Sequence, residues 1–330
     1  MDATVEDVKR LICAHYSDDD EPLNCHVRGP LYRGIASQIF YAETPSIDSP
    51  LNIKFCIDPT TGFSSGHDAA TQYKALCRAN GAMAADDAYG VARPIALFED
   101  EGVVIAEWVE GRSLTACLRD WRNSPAELNG YLARAGGWLR RFHRATSDGE
   151  APIDVDHHLA ILEDTLAEAG RDFATTRVVV DALDVLAASA PSVARQPMAK
   201  CWLHGDFKPD NLIISPHRTV AIDIHTQFHN PIIHDIAHFT NHIVFATFHP
   251  MGLRLLPRIG ALSHAFLDAY ASDDWSITPR PLAWMRLHNA TRKWAEAFSP
   301  STIGLGMTYQ SLRFRRVVQT LTGALSTLRD

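Results

Sequence analysis

Cysteine is sparse in this chain, and the six present, Cys13, Cys25, Cys56, Cys77, Cys117 and Cys201, include no C-x-x-C pair. Such scatter suggests neither a zinc knuckle nor a disulfide framework, and the side chains read as reduced thiols of a cytoplasmic protein. Lys/Arg-rich runs are also missing, and 31 basic against 39 acidic residues leave a net charge of −8. A nucleic-acid backbone would find no footprint, so nucleic acid is not an expected partner. No apolar stretch approaches the length of a membrane span, so no membrane partner is expected either. The opening M-D-A-T-V-E-D-V-K-R runs on to Asp18-Asp19-Asp20-Glu21, the wrong charge for a signal peptide. No Walker A sequence occurs, which excludes a P-loop nucleoside triphosphatase. Internal repeats and low-complexity segments are absent too.

What remains is ordinary globular composition, 46% hydrophobic and 21% charged, in 330 residues, enough for about two domains with cores of their own. Residues 1–108 alternate short strand-like runs with one helix, whereas most of the chain beyond has helical periodicity. This predicts a small sheet-rich lobe over 1–108 and a larger helical one over 109–330. In the second, Ser124-Pro125-Ala126-Glu127 combines a capping box with proline at the first helical position. Leu128, Tyr131, Leu132, Ala135, Leu139 and Phe142 follow at helical spacing as one buried stripe, with His143 beside it as a core histidine.

The most informative stretch is W-L-H-G-D-F-K-P-D-N-L-I-I-S-P-H-R-T-V-A-I-D-I-H, residues 202–225. Leu212–Ser215 and Thr219–Ile222 are β-branched, apolar runs separated by turn composition, so they pair as an antiparallel hairpin. With Ser215–Arg218 as the turn, Ile214 faces Thr219, Leu212 faces Ala221 and Asn211 falls opposite Ile222. The open end then presents Asn211 and Asp223 together. An amide oxygen and a carboxylate are hard ligands suited to Mg²⁺, which takes few protein ligands and completes its shell with water and phosphate oxygens. Asp206, five residues before Asn211, is the candidate base.

His204-Gly205-Asp206 followed by Asn211 and Asp223 resembles the catalytic loop and metal-binding aspartate of the aminoglycoside phosphotransferase and choline kinase family. The resemblance implies an α+β, two-lobed protein-kinase-like fold, with an antiparallel-sheet N-lobe that binds nucleotide and a mostly helical C-lobe for catalysis and acceptor. It also implies an ATP- and Mg²⁺-dependent small-molecule kinase. Asp206 would orient and deprotonate the acceptor hydroxyl, Lys208 would neutralise charge at the γ-phosphate, and Asn211 and Asp223 would hold Mg²⁺. Glu107-Trp108-Val109-Glu110-Gly111 resembles the family's hinge, whose backbone at Glu107 and Val109 receives adenine. Lys54, on the strand Leu51–Ile57, matches the lysine that pairs with the α- and β-phosphates. Where the family places a glutamate to hold that lysine, this chain has Gln72, on a helix expected from Asp68 to Asn80 with Ser65 as a possible cap. Arg33–Gln38, with only Gly34 and Ser37 to bring backbone N–H groups to phosphate, is the candidate covering loop.

Other readings compete. Gly62-Phe63-Ser64-Ser65-Gly66 fits the hydrolase elbow, but Asp58–Thr61 separates it from the preceding strand, where an elbow needs its serine directly off the strand. His234-Asp235-Ile236-Ala237-His238, with His242 on the same helical face, resembles a zinc site. The family resemblance instead makes Asp235 a brace for the catalytic loop. A protein serine/threonine kinase fits Asp206–Asn211, yet only eleven residues separate Asp223 from Asp235, too few for a peptide-docking segment. A non-catalytic nucleotide-binding pseudokinase is the remaining alternative, favoured by Gln72 and the glycine-poor loop. His225 departs from the family pattern, and the sequence does not interpret it. The expected acceptor is a hydroxyl of a small metabolite, an amino sugar, sugar or amino alcohol, and Asp154, Asp156, Glu163, Asp164 and Glu168, with Trp284 and Trp294, suit a cation and so favour the amino sugar or amino alcohol.

Overall fold

The period-2 pattern around Lys54 builds a strand at the middle of an antiparallel sheet, and that sheet organises the first half of the chain. The computed structural model describes residues 3–16, 24–45, 47–225, 228–246, 255, 257–271, 275, 277–298 and 307–328. The acidic run at 18–21 lies outside them. Two compact units emerge, Met1–Arg112 with Asn211–Gln227, and Ser113–Asp210 with Phe228–Asp330.

The first unit runs through α1 (Val5–Tyr16), β1 (His26–Arg33), β2 (Ser37–Glu43), β3 (Leu51–Cys56), α2 (Gly66–Met83), β4 (Tyr89–Val91), β5 (Pro94–Phe98) and β6 (Val103–Glu107), and β7 (Arg112–Ser113) marks its end. The second unit opens with α3 (Leu114–Arg119), α4 (Pro125–Thr146), β8 (Ser147–Ala151), α5 (Val155–Ala169), α6 (Arg171–Ala174), α7 (Arg177–Val193) and β9 (Met198–Trp202). The chain then returns to the first unit for the hairpin β10 (Leu212–Ile214) and β11 (Thr219–Ala221). It ends in the second with β12 (His229–Pro231), α8 (Ile233–Phe245), α9 (Ile259–Tyr270), α10 (Pro279–Phe298) and α11 (Met307–Thr327).

In the first unit β1, β2, β3, β6 and β5 form an antiparallel sheet in that order. Its buried face, including Phe40, Leu51, Ile53, Val103 and Ile105, packs with Val8, Leu11 and Ile12 of α1 in one cluster. Among the described residues the unit therefore has two helices where the sequence reading expected one. Each such buried branched side chain contributes about 1.5–3 kcal/mol of burial. α2 starts where expected, with the Ser65 hydroxyl accepting from the Asp68 N–H. It continues past Gly81 to Met83, because Gly81 faces open space and Met83, 2% exposed, is drawn into the core. The hairpin differs from the expected partition at 108/109, since β11 pairs in parallel with β4 and so joins the first unit.

The second unit is built on α4, whose capping box forms as read, with Ser124 N–H donating to Glu127 and Glu127 N–H to the Ser124 hydroxyl. Its stripe is buried from Leu128 to Phe142 apart from half-buried Tyr131. Trp138 stacks on Phe207 at 5.4 Å between centroids, and Phe207 meets Phe239 at 4.9 Å, so an aromatic core underlies the loop after β9.

Candidate active site

The hairpin register is the one read from the sequence: Leu212 pairs with Ala221, Ile213 with Val220 and Ile214 with Thr219. Ile222 N–H donates to the Asn211 carbonyl at 3.0 Å, which carries the pairing one step further and brings Asn211 to the end that Asp223 extends. Asp223 is the one non-glycine described residue in the left-handed region, at φ 57°, where a short polar side chain is tolerated. Its Oδ1 accepts from the Lys54 ammonium at 2.5 Å and lies 3.5 Å from His225 Nε2. Burial alone would raise this carboxyl. The His225 hydrogen bond and the Lys54 charge prevail and hold it well below the ordinary carboxylate range. His225, unread in the sequence, thus has a role: it helps keep Asp223 ionised. The donors present, one ionised carboxylate and one amide oxygen, fit Mg²⁺.

Lys54 therefore has Asp223 as its partner, and the expected contact with Gln72 does not form; the Gln72 side chain makes no hydrogen bond among the described residues. Gly34 and Ser37 sit at the β1–β2 turn, where Gly34 N–H donates to the Ser37 carbonyl at 2.9 Å. Glu107 ends β6, its N–H on the Arg93 carbonyl and its carboxylate 3.5 Å from Arg93 Nε. Val109 follows outside any strand. Gly111, at φ 146°, lets the chain pass so close to the hairpin that a Cβ would stand 2.7 Å from the Ile214 carbonyl oxygen.

In the second unit the alternation Asp206-Phe207-Lys208 decides the geometry. Phe207 is fully buried in the aromatic core, so its two neighbours project the other way and meet. Lys208 Nζ donates to Asp206 Oδ2 at 2.5 Å, and His238 Nε2 stands 3.2 Å from Oδ1. Burial would raise the Asp206 carboxyl, but the His238 and Lys208 hydrogen bonds outweigh it and pull it well below its usual value. Asp206 is thus an ionised, weakly basic carboxylate with both oxygens engaged.

The loop itself is pinned from beneath. Asp235, 2% exposed, accepts from His204 N–H at 2.7 Å and Gly205 N–H at 3.1 Å. Gly205 takes φ 85°, which admits glycine without strain. His143 Nε2 lies 3.1 Å from Asp235 Oδ2 and Nδ1 lies 2.8 Å from the Tyr270 hydroxyl. Nε2–H therefore donates to the carboxylate and Nδ1 accepts from the tyrosine, an assignment the carboxylate imposes. Asp235 is the brace of the competing pair of readings. His238 belongs to Asp206, and no group of three or more His, Cys, Asp or Glu among the described residues is arranged to hold a metal. The hydrolase elbow fails as well, since Ser64 bridges Ile57 and Ser65 caps α2.

Comparison with known proteins agrees with this geometry. The model of the phosphotransferase enzyme family matches residues 65–278. The chain belongs to that family. It is on this ground a small-molecule phosphotransferase with a protein-kinase-like fold. Among solved structures it is similar to the choline kinase LicA from Streptococcus pneumoniae, at 14% identity over 96% of this chain and 99% of that one, TM-score 0.58. The amicoumacin kinase hAmiN in complex with AMP-PNP, Ca²⁺ and Ami is 15% identical over 96% and 94%, TM-score 0.62. A glucosamine kinase in complex with glucosamine, ADP and inorganic phosphate is 16% identical over 98% and 84%, TM-score 0.55. No curated protein matches the sequence.

All six cysteines are free thiols. No helix among the described residues is long and apolar enough to cross a membrane. The residues that suggested a cationic acceptor do not gather. Asp154, Asp156, Glu163, Asp164 and Glu168 are solvent-exposed, and Asp154 caps α5 by accepting from His157 N–H. Trp284 is a core side chain donating to the Leu186 carbonyl, and Trp294 packs on Phe173.

Proposed function

We propose that this phosphotransferase moves the γ-phosphoryl group of ATP, with Mg²⁺, to a hydroxyl of a small metabolite, and that Asp206 is the base. One observation carries the reading: an ionised carboxylate, gripped by Lys208 and His238, sits on a loop fixed by Asp235 and five residues ahead of Asn211. Asp206 orients the acceptor hydroxyl and takes its proton as the new O–P bond forms and the bond from the γ-phosphorus to the β-γ bridging oxygen breaks, releasing ADP. A carboxylate this weakly basic accepts the proton late, which suits the loose transition state of phosphoryl transfer. Lys208 shifts between the carboxylate and the phosphoryl oxygens as charge spreads over them. Asn211 and Asp223 would hold Mg²⁺, which supplies charge neutralisation at the phosphates. Lys54, Gly34, Ser37, Glu107 and Val109 are assigned to the nucleotide; the nucleotides in the hAmiN and glucosamine kinase structures support that use of ATP. Gln72 is withdrawn from that set for want of a contact to Lys54.

The test is Asp206→Asn, which keeps the shape and removes the charge. Mg·ATP binding should persist while kcat falls by roughly 10²–10⁴, the usual contribution of a positioned base. Turnover within tenfold of wild type would remove Asp206 from this role, whereas Mg·ATP binding without transfer to any acceptor by the wild-type protein would favour a pseudokinase.

A further inference from the structure

The face of α8 that resembles a zinc site in the sequence touches the candidate base instead, one turn away from the brace. Asp235 holds the loop backbone through His204 N–H and Gly205 N–H. His238, three residues on and so on the same side of the helix, reaches the Asp206 side chain, Nε2 to Oδ1 at 3.2 Å. One helix thus fixes both the backbone of the loop and the carboxylate that the loop carries. The second attachment matters because the last torsion of an aspartate is broad and roughly two-fold, so a fixed backbone does not decide which oxygen faces the acceptor.

The two donors on the carboxylate differ in how firmly they are held. Lys208 reaches Oδ2 from two residues along the same loop, on a flexible four-carbon stem. His238 is a ring on a helix. It packs on His242 at 4.6 Å between centroids, and His242 packs in turn on Phe245 at 6.1 Å, so the following two turns of α8 back it. A side chain locked in this way is what holds a reacting group in a productive geometry. Asp206 is ionised and can only accept, so the proton between the two groups sits on Nε2. With 30% of its side chain exposed, His238 is not a core residue, and the fold gains little from its burial.

We propose that His238 is a positioning residue for phosphoryl transfer: it holds Oδ1 throughout and so makes Oδ2 the oxygen that takes the acceptor proton once Lys208 turns to the phosphoryl group. The proposal rests on the phosphotransferase reading with Asp206 as base and divides the work between its two oxygens. An incoming hydroxyl needs a carboxylate oxygen whose present donor can leave. Of these two donors Lys208 is the one with a second anion to go to, the phosphoryl oxygens. As the acceptor oxygen bonds to the γ-phosphorus and the bond to the β-γ bridging oxygen breaks, the hydroxyl proton passes to Oδ2. It leaves to water as product departs, and Lys208 returns to Oδ2. His238 gains and loses no proton.

The test follows ADP release from Mg·ATP, with water alone and with glucosamine, ethanolamine, glycerol or D-glycerate as acceptor, and compares variants on whichever gives the fastest release. His238→Phe keeps a ring on the helix and removes the donor. It should lower kcat about 10- to 100-fold, the order expected when a reacting group is misplaced by up to about 1 Å, with KM for ATP unchanged within about twofold. Its melting temperature should stay within about 2 °C of wild type. His238→Gln, whose amide carries an N–H near the Nε2 position, should recover kcat to within about fivefold of wild type. In an Asp206→Asn background His238→Phe should cost less than about twofold more, because it acts only through the carboxylate. Unchanged kcat in His238→Phe overturns the proposal, as does a full further loss in the Asp206→Asn background. A loss that Gln does not recover, or one that comes with a fall of about 5 °C or more in melting temperature, marks a structural role and also overturns it. If Asp206→Asn alone turns over like wild type, the base reading and this one fall together; a loss there beside an unchanged His238→Phe removes the positioning role alone.

Discussion

Replacing Asp235 by asparagine tests how the fold holds the catalytic loop. The carboxylate accepts His204 N–H at 2.7 Å, Gly205 N–H at 3.1 Å and His143 Nε2–H at 3.1 Å, all in a buried setting. Hydrogen bonds to a charged group are worth about 1.5–3 kcal/mol each. Oδ2 takes the His204 and His143 donors and Oδ1 the Gly205 donor, so an asparagine with its oxygen at the Oδ2 position keeps two bonds without their charge, loses the third and turns an NH₂ toward the Gly205 N–H. The loss is about 3–5 kcal/mol, the range for breaking a buried charged partnership. At about 2–4 °C per kcal/mol for a unit of this size, the melting temperature should fall by roughly 10 °C in calorimetry. Because His204 also receives the Asp206 N–H, at 3.3 Å, the loop that carries the base loses its footing. A shift of about 1 Å costs on the order of 10²-fold in rate. Expected, then, is a folded enzyme at 25 °C with kcat at least tenfold down and KM for ATP little changed. A melting temperature within about 2 °C of wild type together with unchanged kcat would refute the bracing argument.

Three other outcomes follow from the same geometry. Asp223→Ala should abolish Mg²⁺-dependent ATP binding by calorimetry, and Asn211→Ala should weaken it less, since only the first removes a charged ligand; unchanged Mg·ATP affinity in the Asp223 variant would end its metal role. Lys208→Ala should act mainly on kcat, whereas Lys54→Ala should also raise KM for ATP, and identical kinetic profiles for the two would contradict the split. In the second unit burial, helped by the neighbouring histidines, lowers His158 to about 2, and burial lowers His234 to about 4 and His288 below its ordinary value. Their folded values lie below the unfolded 6.5, so the stability is present above about pH 6.5 and is lost as pH falls toward 4. At a limit of about 1.4 kcal/mol per pH unit per histidine, halved because two rings are partly exposed, urea melts should lose about 2 kcal/mol per unit between pH 6.5 and 5. A flat profile there, or one that His158→Phe leaves as steep, would count against it.

The hairpin was legible because its information is local. Two β-branched runs and a turn fix a register, and a register fixes which residues share an end, so Asn211 and Asp223 follow from spacing alone. The capping box and stripe of α4 were legible for the same reason. Partners that meet through tertiary packing were not. Lys54 was assigned to position 72 by analogy, yet it reaches Asp223, 169 residues away in sequence. His234, Asp235 and His238 left a metal face as a rival to the favoured brace, because the sequence does not show that a helix i, i+3 pair divides its work, Asp235 to the backbone of the loop and His238 to its aspartate. The parallel pairing of β11 with β4, which draws the hairpin into the first unit, leaves no mark in either strand. α1 is a different case. Val8, Leu11 and Ile12 carry the helical period plainly, and the signal was passed over.

The acceptor shows why counting charges along a helix misleads. The acids of α5 are dense in sequence because an exposed helix face tolerates them, and exposed charge is screened and weak. The groups that engage the Asp206 carboxylate come instead from separate segments, Lys208 on the loop and His238 on α8. What gathers them is the anchoring of Phe207 and the packing of α8 beside α10. The same packing that turns Asp206 and Lys208 outward sets His238 against the carboxylate. Lys208 and His238 together thus hold the Asp206 carboxylate well below its usual range. The surroundings of the candidate base are set by which side chains the packing brings to it, and the net charge of −8 carries no information about them.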